Sequence, residues 1–344
     1  MEDNYKNRLE QSRINIDKEI LRMKSRLEKL YSQKERVEEK IRRVDNPREI
    51  SICVVSSMNA GKSTFVNALL QQKLMPVTNQ ACTNKLIKVV NDDTIEYSVR
   101  AFNESDRVVD QSSTTTYEKL LKLKADDSVT HIELTGSIPF AKNAESKISV
   151  IDTGSLHSGR STNKDTFKVM KSDGNIIVYV LNAPQLETFE DILLKFIADD
   201  PSMLRRTVFV ANKLDCFNPR EENIEKFYMD AKEYLLSMGI STKDIYPISA
   251  LTALNIRTIL NKSELDMDDD EIYDAMGKVR KFNINTELHL EKYALVSEEI
   301  KAKIDLELKT AETNGDRNKQ ALIHSGIPTV EARLVELANE LANK

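Results

Sequence analysis

The segment SSMNAGKST, residues 56–64, constrains the fold of this chain more than any other feature. It follows Ile50–Val55, an apolar run typical of a short buried strand, and leads into residues 62–72, which have the pattern of a helix. The letters match the phosphate-loop pattern G-x-x-x-x-G-K-[ST], except that Ser56 replaces the first glycine. A strand, a tight loop and a helix in this order place backbone N–H groups where they bind phosphate. The segment therefore predicts a nucleotide site on an α/β fold.

The residues expected to hold the phosphates and the metal lie in this loop and after a later strand. Lys62 neutralises the β and γ phosphates, the Ser63 hydroxyl holds Mg²⁺, and Asp152 in VIDTG holds Mg²⁺ through water. The predicted nucleotide contacts of the loop are Ser57, Met58, Asn59, Ala60, Gly61, Lys62, Ser63 and Thr64. Ser56 adds a Cβ where glycine permits close backbone approach, but the phosphate-binding N–H groups come mainly from residues 59–64.

Two further motifs follow predicted strands and point to guanine as the base. In VANKLD, Asp215 is predicted to accept two hydrogen bonds from guanine, while Lys213 covers the ring and Asn212 holds the loop. An adenine would present the wrong donors and leave this carboxylate unpaired. In ISAL, the backbone N–H of Ala250, next to Ser249, is expected to meet the guanine O6. Each motif alone also fits an ordinary strand-to-helix turn, but four in this order indicate binding of GTP or GDP.

Composition narrows the class of protein. The 344 residues are 40% apolar, which is enough for a substantial core, and the net charge of −5 argues against a nucleic-acid partner. Cys53, Cys82 and Cys216 are far apart and form no CxxC pair, so a reducing cytosol fits better than a disulfide framework or a zinc site. No apolar run approaches a membrane span, and the charged N-terminus lacks the apolar core of a signal peptide. Any contact with a membrane is therefore expected to be peripheral.

The first 46 residues form a separate pattern. Residues 5–45 lack Gly and Pro, and apolar residues recur every seven positions. The first row is Leu9, Ile16, Met23, Leu30, Val37 and Val44, and the second is Arg13, Ile20, Leu27, Lys34 and Ile41. This is a five-heptad seam on a charged helix that ends before Pro47, and such a seam requires a partner helix. The partner helix could come from the same chain, from a second copy of the chain or from another protein.

After Pro47 the pattern alternates between strands and helices, which predicts a mostly parallel sheet covered on both faces. Strands are predicted at 50–55, 86–90, 94–101, 131–138, 147–151, 175–181, 207–211 and 245–248, and helices at 62–72, 116–124, 187–198 and 221–237. Residues 262–320 interrupt this rhythm as a helical insertion, with a long helix expected at 288–310. The predicted domains are an N-terminal helix at 1–46 and an α/β domain at 48–344 that ends in a helix at 329–343.

At this point the chain resembles a GTPase of the dynamin superfamily, and more specifically its bacterial dynamin-like branch. The resemblance lies in NAGKSTFVNALL, LMPVTNQACTNKL, VIDTG, VANKLD, YPISA and HSGIPTVE. Era-like ribosome-assembly GTPases share NxGKST and NKxD, but Lys62 and Asp152 are 90 residues apart, more than a minimal GTPase domain needs. An acidic body without a basic RNA-binding appendage also counts against that class.

The resemblance implies a fold, an activity and partners. It implies a P-loop GTPase domain with an enlarged sheet and a helical bundle built from helices before and after it, to which residues 5–45 and 288–310 would contribute. It implies that Thr83 coordinates Mg²⁺ and orients the attacking water, as a catalytic group beside Lys62 and Ser63. It also implies homodimerisation through the G domains and a role in membrane remodelling. A stalk normally follows the G domain, so the chain is expected to be a fragment or a member without a stalk.

Two departures from the family pattern concern catalysis. The family writes D-T-P-G-L, and its glycine sends an N–H to the γ-phosphate; here Ser155 occupies that position and Gly154 lies one place earlier. Met58 stands where dynamin has a catalytic glutamine. His157 in the same loop as Ser155 is expected to be an exposed loop residue. Slow or dimer-stimulated hydrolysis is expected, and the alternative is a GTP-binding interaction module with little or no hydrolysis.

Overall fold

A computed structural model gives the fold of most of the chain. The described residues are 49–56, 59–77, 85–154, 160–172, 175–186, 191–218, 220–242, 244–261 and 268–343, with ten residues of the first 48. The contacts divide the chain into two units, Met1–Arg48 and Glu49–Lys344.

The described residues of the first unit are helical and exposed. Of the predicted seam, Ile20, Met23 and Leu30 expose 45%, 65% and 54% of their surface. Most of the other seam residues lie outside the described part of the chain. The continuous seam, its partner and the predicted domain boundaries therefore stay predictions.

Among the described residues, nine strands form one sheet in the order β4-β3-β5-β2-β6-β1-β7-β8-β9. They are β1 (Glu49–Ser56), β2 (Leu86–Asn91), β3 (Ser98–Phe102), β4 (Val108–Ser112), β5 (His131–Gly136), β6 (Lys147–Asp152), β7 (Asn175–Asn182), β8 (Thr207–Asn212) and β9 (Ile245–Pro247). Strand β1 lies parallel between β6 and β7, and β8 and β9 continue the parallel half. Strand β2 pairs antiparallel with β6, and β3 is antiparallel to both neighbours. The predicted mostly parallel sheet is confirmed.

The helices cover both faces of this sheet. They are α1 (Lys62–Leu70), α2 (Tyr117–Ala125), α3 (Arg160–Lys171), α4 (Ile192–Ala198), α5 (Pro201–Leu204), α6 (Ile224–Ser237), α7 (Ala250–Leu260), α8 (Asp269–Ile284), α9 (Glu298–Thr313), α10 (Arg317–His324) and α11 (Ile327–Ala342). Within the described residues, none of them combines the length and apolar character that a membrane span requires.

The core explains why the central strands carry apolar residues on both of their faces. In β1, Ile52 and Val54 belong to the hydrophobic cluster on one face, and Cys53 and Val55 to the cluster on the other. Helices α1, α2 and α11 pack on the first face, and α4, α6 and α8 on the second. Continuous apolar runs are the expected pattern for parallel strands with both faces buried.

Two predictions about individual elements were wrong. The helix predicted at 288–310 begins at Glu298, because the Ser297 hydroxyl accepts a hydrogen bond from the Ile300 N–H and caps it there. The residues before it form two 3-10 turns, Thr286–Leu288 and Leu290–Tyr293, whose leucines are buried. In addition, the strand predicted at 94–101 begins only at Ser98, and β4 was not predicted.

Candidate nucleotide site

The site lies where several parallel strands end. Strands β6, β1, β8 and β9 run in the same direction, so the loops that follow them meet at one edge of the sheet. These loops carry the four motifs found in the sequence. Ligands of open α/β sheets bind at this edge, beyond the carboxyl ends of the strands.

The phosphate loop turns sharply before α1. Asn59 and Gly61 both have left-handed backbone conformations, with φ of 57° and 84°. A Cβ on Gly61 would lie 2.6 Å from the Asn212 Nδ2 atom, so glycine is required there both by conformation and by space. The first hydrogen bond of α1 runs from the Phe65 N–H to the Gly61 carbonyl at 2.9 Å. The preceding N–H groups of the first turn have no partner within the helix and form an anion-binding end.

Three side chains of the predicted phosphate and metal site contact one another. The Lys62 ammonium pairs with Oδ1 of Asp152, and the Ser63 hydroxyl donates to Oδ2 at 3.0 Å. Asp152, the last residue of β6, is only 2% exposed. The adjacent Thr153 hydroxyl donates to the Val54 carbonyl at 2.7 Å, which holds the end of β6 against β1. A lysine, a hydroxyl and a carboxylate are thus fixed at the start of α1.

Asn212 connects the phosphate loop to the loop after β9. Its Nδ2 donates to the Ala60 carbonyl at 2.9 Å, and its Oδ1 accepts from the Ala250 N–H at 3.0 Å. The Ala250 N–H that the sequence assigns to guanine O6 therefore already has an acceptor within the protein. Lys213 follows with a left-handed backbone, φ of 72°, which turns the chain out of β8.

Asp215, the residue assigned to the base, lies in a nearly closed pocket of polar groups. Its Oδ1 accepts from the Ser249 hydroxyl at 2.7 Å, and its Oδ2 lies 3.2 Å from the Lys278 ammonium. The Ser249 N–H donates to the Ser325 carbonyl at 2.9 Å, so the loop before α11 supports this pocket. Gly326 permits the approach, because a Cβ there would lie 2.3 Å from the Pro247 carbonyl oxygen. This accounts for the glycine of HSGIPTVE.

Some predicted site residues cannot be placed. Ser57, Met58, Thr83 and Ser155 lie outside the described residues, as does His157. Their assigned roles stay predictions. Thr64 is described, in the first turn of α1.

Two lysines of α8 contact the loop after β8 that carries Asp215, residues 213–217, which is called the base loop below. The sequence did not predict either contact. Lys278 is shared between Asp215 and Asp274, the latter at 3.0 Å. Lys281 donates to the backbone carbonyls of Asp215 and Phe217 at 2.6 Å and 2.5 Å. Burial alone would lower the pKa of Lys278, but the two carboxylates raise it above its ordinary value. Two cationic side chains of α8 therefore hold the base loop in place. Neither lysine belongs to a recognisable sequence motif.

Lys278→Met is expected to lower the free energy of unfolding by about 1–3 kcal/mol at pH 7, because the buried Asp215 carboxylate loses a charged partner. Asp274→Ala is the matched control, since the side chain of Asp274 is 57% exposed; its expected cost is about 0–1 kcal/mol. Urea denaturation of both variants measures the difference. Equal losses would show that Lys278 does not support Asp215.

A phosphate loop that follows the central strand of a mostly parallel sheet, with polar residues at the ends of three further strands that run in the same direction, defines a P-loop nucleotide-binding domain. Residues 52–214, just under half of the chain, match the model of the Dynamin family. The superfamily assignment made from the motifs is confirmed. No curated protein sequence matches the chain.

The fold is similar to solved structures of bacterial dynamins. One is described as an oligomerised bacterial dynamin pair that provides a mechanism for long-range sensing and tethering of membranes; its TM-score is 0.51 at 16% identity over 89% of this chain. A second structure of such a pair has a TM-score of 0.48 at 18% identity over 90% of the chain. The chain spans 60% and 50% of the lengths of these two proteins.

Proposed function

We propose that this chain binds GTP or GDP together with Mg²⁺ and hydrolyses GTP to GDP and phosphate. One observation carries the proposal: Asn212 joins the loop that bears Lys62 and Ser63 to the loop that bears Ser249, the partner of Asp215. Groups suited to phosphate and groups suited to guanine are thus held in one connected framework.

The residues at the phosphate end fit a magnesium ion. Mg²⁺ prefers oxygen ligands, and the Ser63 hydroxyl and the Asp152 carboxylate lie 3.0 Å apart. Ser63 would bind the ion directly, Asp152 through water, and Thr83 would complete the set. When bound, Mg²⁺ neutralises charge on the phosphates during transfer.

Nucleotide binding requires an exchange of partners at the phosphate end of the site. The Lys62 ammonium leaves Asp152 for the β and γ phosphates, so one anion replaces another and the lysine stays paired. Asp152 is then free to orient the water of the metal. At the base, Asp215 keeps the Ser249 hydroxyl and uses its remaining acceptor sites for guanine, because each carboxylate oxygen accepts more than one hydrogen bond.

The further proposal is that nucleotide state is coupled to G-domain dimerisation, to movement of the N-terminal helical arm and to membrane remodelling from the cytoplasmic side. The match of residues 52–214 to the model of the Dynamin family supports it. The first 48 residues also carry fourteen Lys/Arg and ten Asp/Glu, a local +4, which favours peripheral contact with an anionic surface. The arm would pair with itself or with a helical partner.

A second candidate function is a GTP-binding interaction module with little or no hydrolysis. Ser155 in place of the switch glycine favours it, because a side chain restricts the backbone that must move toward the γ-phosphate.

Phosphate release at increasing protein concentration separates the two functions. A dimer-stimulated GTPase is expected to show turnover per chain that rises with protein concentration, whereas an interaction module binds GTP and releases phosphate at the background rate. Lys62→Ala serves as the control that should abolish activity at every concentration. Background release from the unaltered chain, with GTP bound, would decide for the interaction module.

A further inference from the structure

A cluster of three metal-ligating side chains lies outside the nucleotide site. His289 and Glu291 come from the turns before α9, and His324 is the last residue of α10. One nitrogen or oxygen atom from each side chain lies within 4.8 Å of the others. None of the four nucleotide motifs includes these residues.

Two polar atoms of the cluster are buried without a hydrogen-bond partner. They are Nε2 of His289 and Oε2 of Glu291. The side chains of Glu291 and His324 are only 6% and 5% exposed. Buried polar atoms nearly always have partners, so two such atoms without one, in side chains that can reach a common ion, indicate a ligand for this cluster.

The remaining contacts orient the cluster. Nδ1 of His324 lies 3.1 Å from Oε1 of Glu291, and the rings of His324 and His289 are stacked at 3.5 Å. Nδ1 of His289 lies 3.1 Å from the ammonium of Lys292, and Nε2 of the same ring has no partner.

The Lys292 side chain is exposed, so its ammonium is free to turn toward solvent and leave the imidazole of His289 to a metal ion.

We propose that His289, Glu291 and His324 bind one divalent transition-metal ion, with Zn²⁺ as the physiological cation. Two imidazole nitrogens and one carboxylate oxygen form a ligand set typical of Zn²⁺, with water in the fourth position. Ligand atoms around tetrahedral Zn²⁺ lie about 3.3 Å apart, so the two rings must tilt out of their stack and close on the carboxylate. The hard cations Mg²⁺ and Ca²⁺ prefer all-oxygen sites and are not expected to bind here.

The location gives the ion a structural role. It ties the turn at Leu290–Tyr293 to the end of α10. The residue after His324 is Ser325, whose carbonyl accepts the N–H of Ser249, the partner of Asp215. The ion would therefore stabilise the base loop through Ser325 and Ser249. Its binding does not depend on nucleotide.

Titration of the chelator-treated full chain with Zn²⁺, in competition with a chromophoric chelator, tests the proposal. The expected result is one Zn²⁺ per chain, with an affinity unchanged by millimolar Mg²⁺. Co²⁺ in its place should give the visible absorption of tetrahedral coordination. H289Q and H324Q are each expected to weaken binding by roughly 100-fold or more. H131Q is the matched control, because His131 contacts Phe102 and Asp106 instead.

Three outcomes would overturn the proposal. The first is Zn²⁺ binding by the unaltered chain that is weaker than about 100 µM, far below the affinity of a three-ligand protein site. The second is an affinity in H289Q equal to that in H131Q, which would mean adventitious surface binding. The third is a Co²⁺ spectrum of octahedral coordination, which can be read on the unaltered chain even if the variants do not fold.

Discussion

Asp215→Asn is expected to change the preferred nucleotide from GTP to xanthosine triphosphate. The carboxylate accepts from both N–H donors of guanine, whereas an amide offers one acceptor and one donor. Xanthine carries a carbonyl where guanine carries its amino group, so it fits the amide. One guanine donor loses its acceptor and the other loses the charge on its acceptor; at about 1.5–3 kcal/mol for each bond, the two changes correspond to a loss of GTP affinity of up to roughly 10²–10⁴-fold.

The two partners of Asp215, Lys278 and Ser249, can both accommodate an asparagine at this position. In D215N the amide oxygen is expected to face the Lys278 ammonium and the NH₂ group to face the Ser249 hydroxyl, which also accepts hydrogen bonds. Asp274→Asn is the matched control, since it neutralises the other carboxylate on Lys278. Competition titrations with GTP and xanthosine triphosphate measure the switch. Unchanged GTP affinity in D215N would refute the assignment of Asp215 to the base.

Arg257→Met is expected to cost about 3–5 kcal/mol of folding free energy, because it leaves the Glu331 carboxylate charged and buried without a partner. Arg257 on α7 forms two parallel hydrogen bonds with Glu331 on α11, at 2.7 Å and 2.8 Å. It also donates to the Ala68 carbonyl of α1 at 2.6 Å. The two side chains are 6% and 10% exposed. This pair therefore joins the helix after the phosphate loop to the last helix.

Two comparisons isolate the buried pair. The double variant R257M/E331L is expected to be more stable than R257M alone, because a buried pair replaced by apolar groups loses no unpaired charge. Arg100→Ala removes an ion pair with Glu133 whose arginine is 52% exposed, and should cost about 0–1 kcal/mol. Urea denaturation measures all three. A loss in R257M no greater than in R100A would contradict the account of the pair.

The parallel half of the sheet could be predicted from the sequence, and so could the meeting of the four motif-bearing loops at one edge of it; the nucleotide site at that edge stays a prediction. Strands β1, β7 and β8 are mostly apolar because both of their faces are buried, and the phosphate loop and the NKLD motif follow two of them. The contacts of Asn212 and Asp215 are local consequences of loops that meet at one edge.

What the sequence could not predict depends on contacts between distant segments. Strand β4 is short, and its Val108 and Val109 are exposed, so it lacks the apolar signal of a buried strand. Lys278 and Lys281 reach the base loop from a helix more than 60 residues later, and a lysine on a polar helix normally indicates solvent. The cluster of His289, Glu291 and His324 could not be predicted either, because its residues come from segments that are distant in the sequence.

The central claim is that Lys62, Asp152, Asn212 and Asp215 form one site for a guanine nucleotide. Equilibrium titration of the full chain with fluorescent GDP and Mg²⁺, followed by competition with unlabelled GTP and ATP, tests it most directly. The expected result is saturable binding that GTP displaces and an equal concentration of ATP does not. Failure to saturate, or displacement by ATP as readily as by GTP, would contradict the claim.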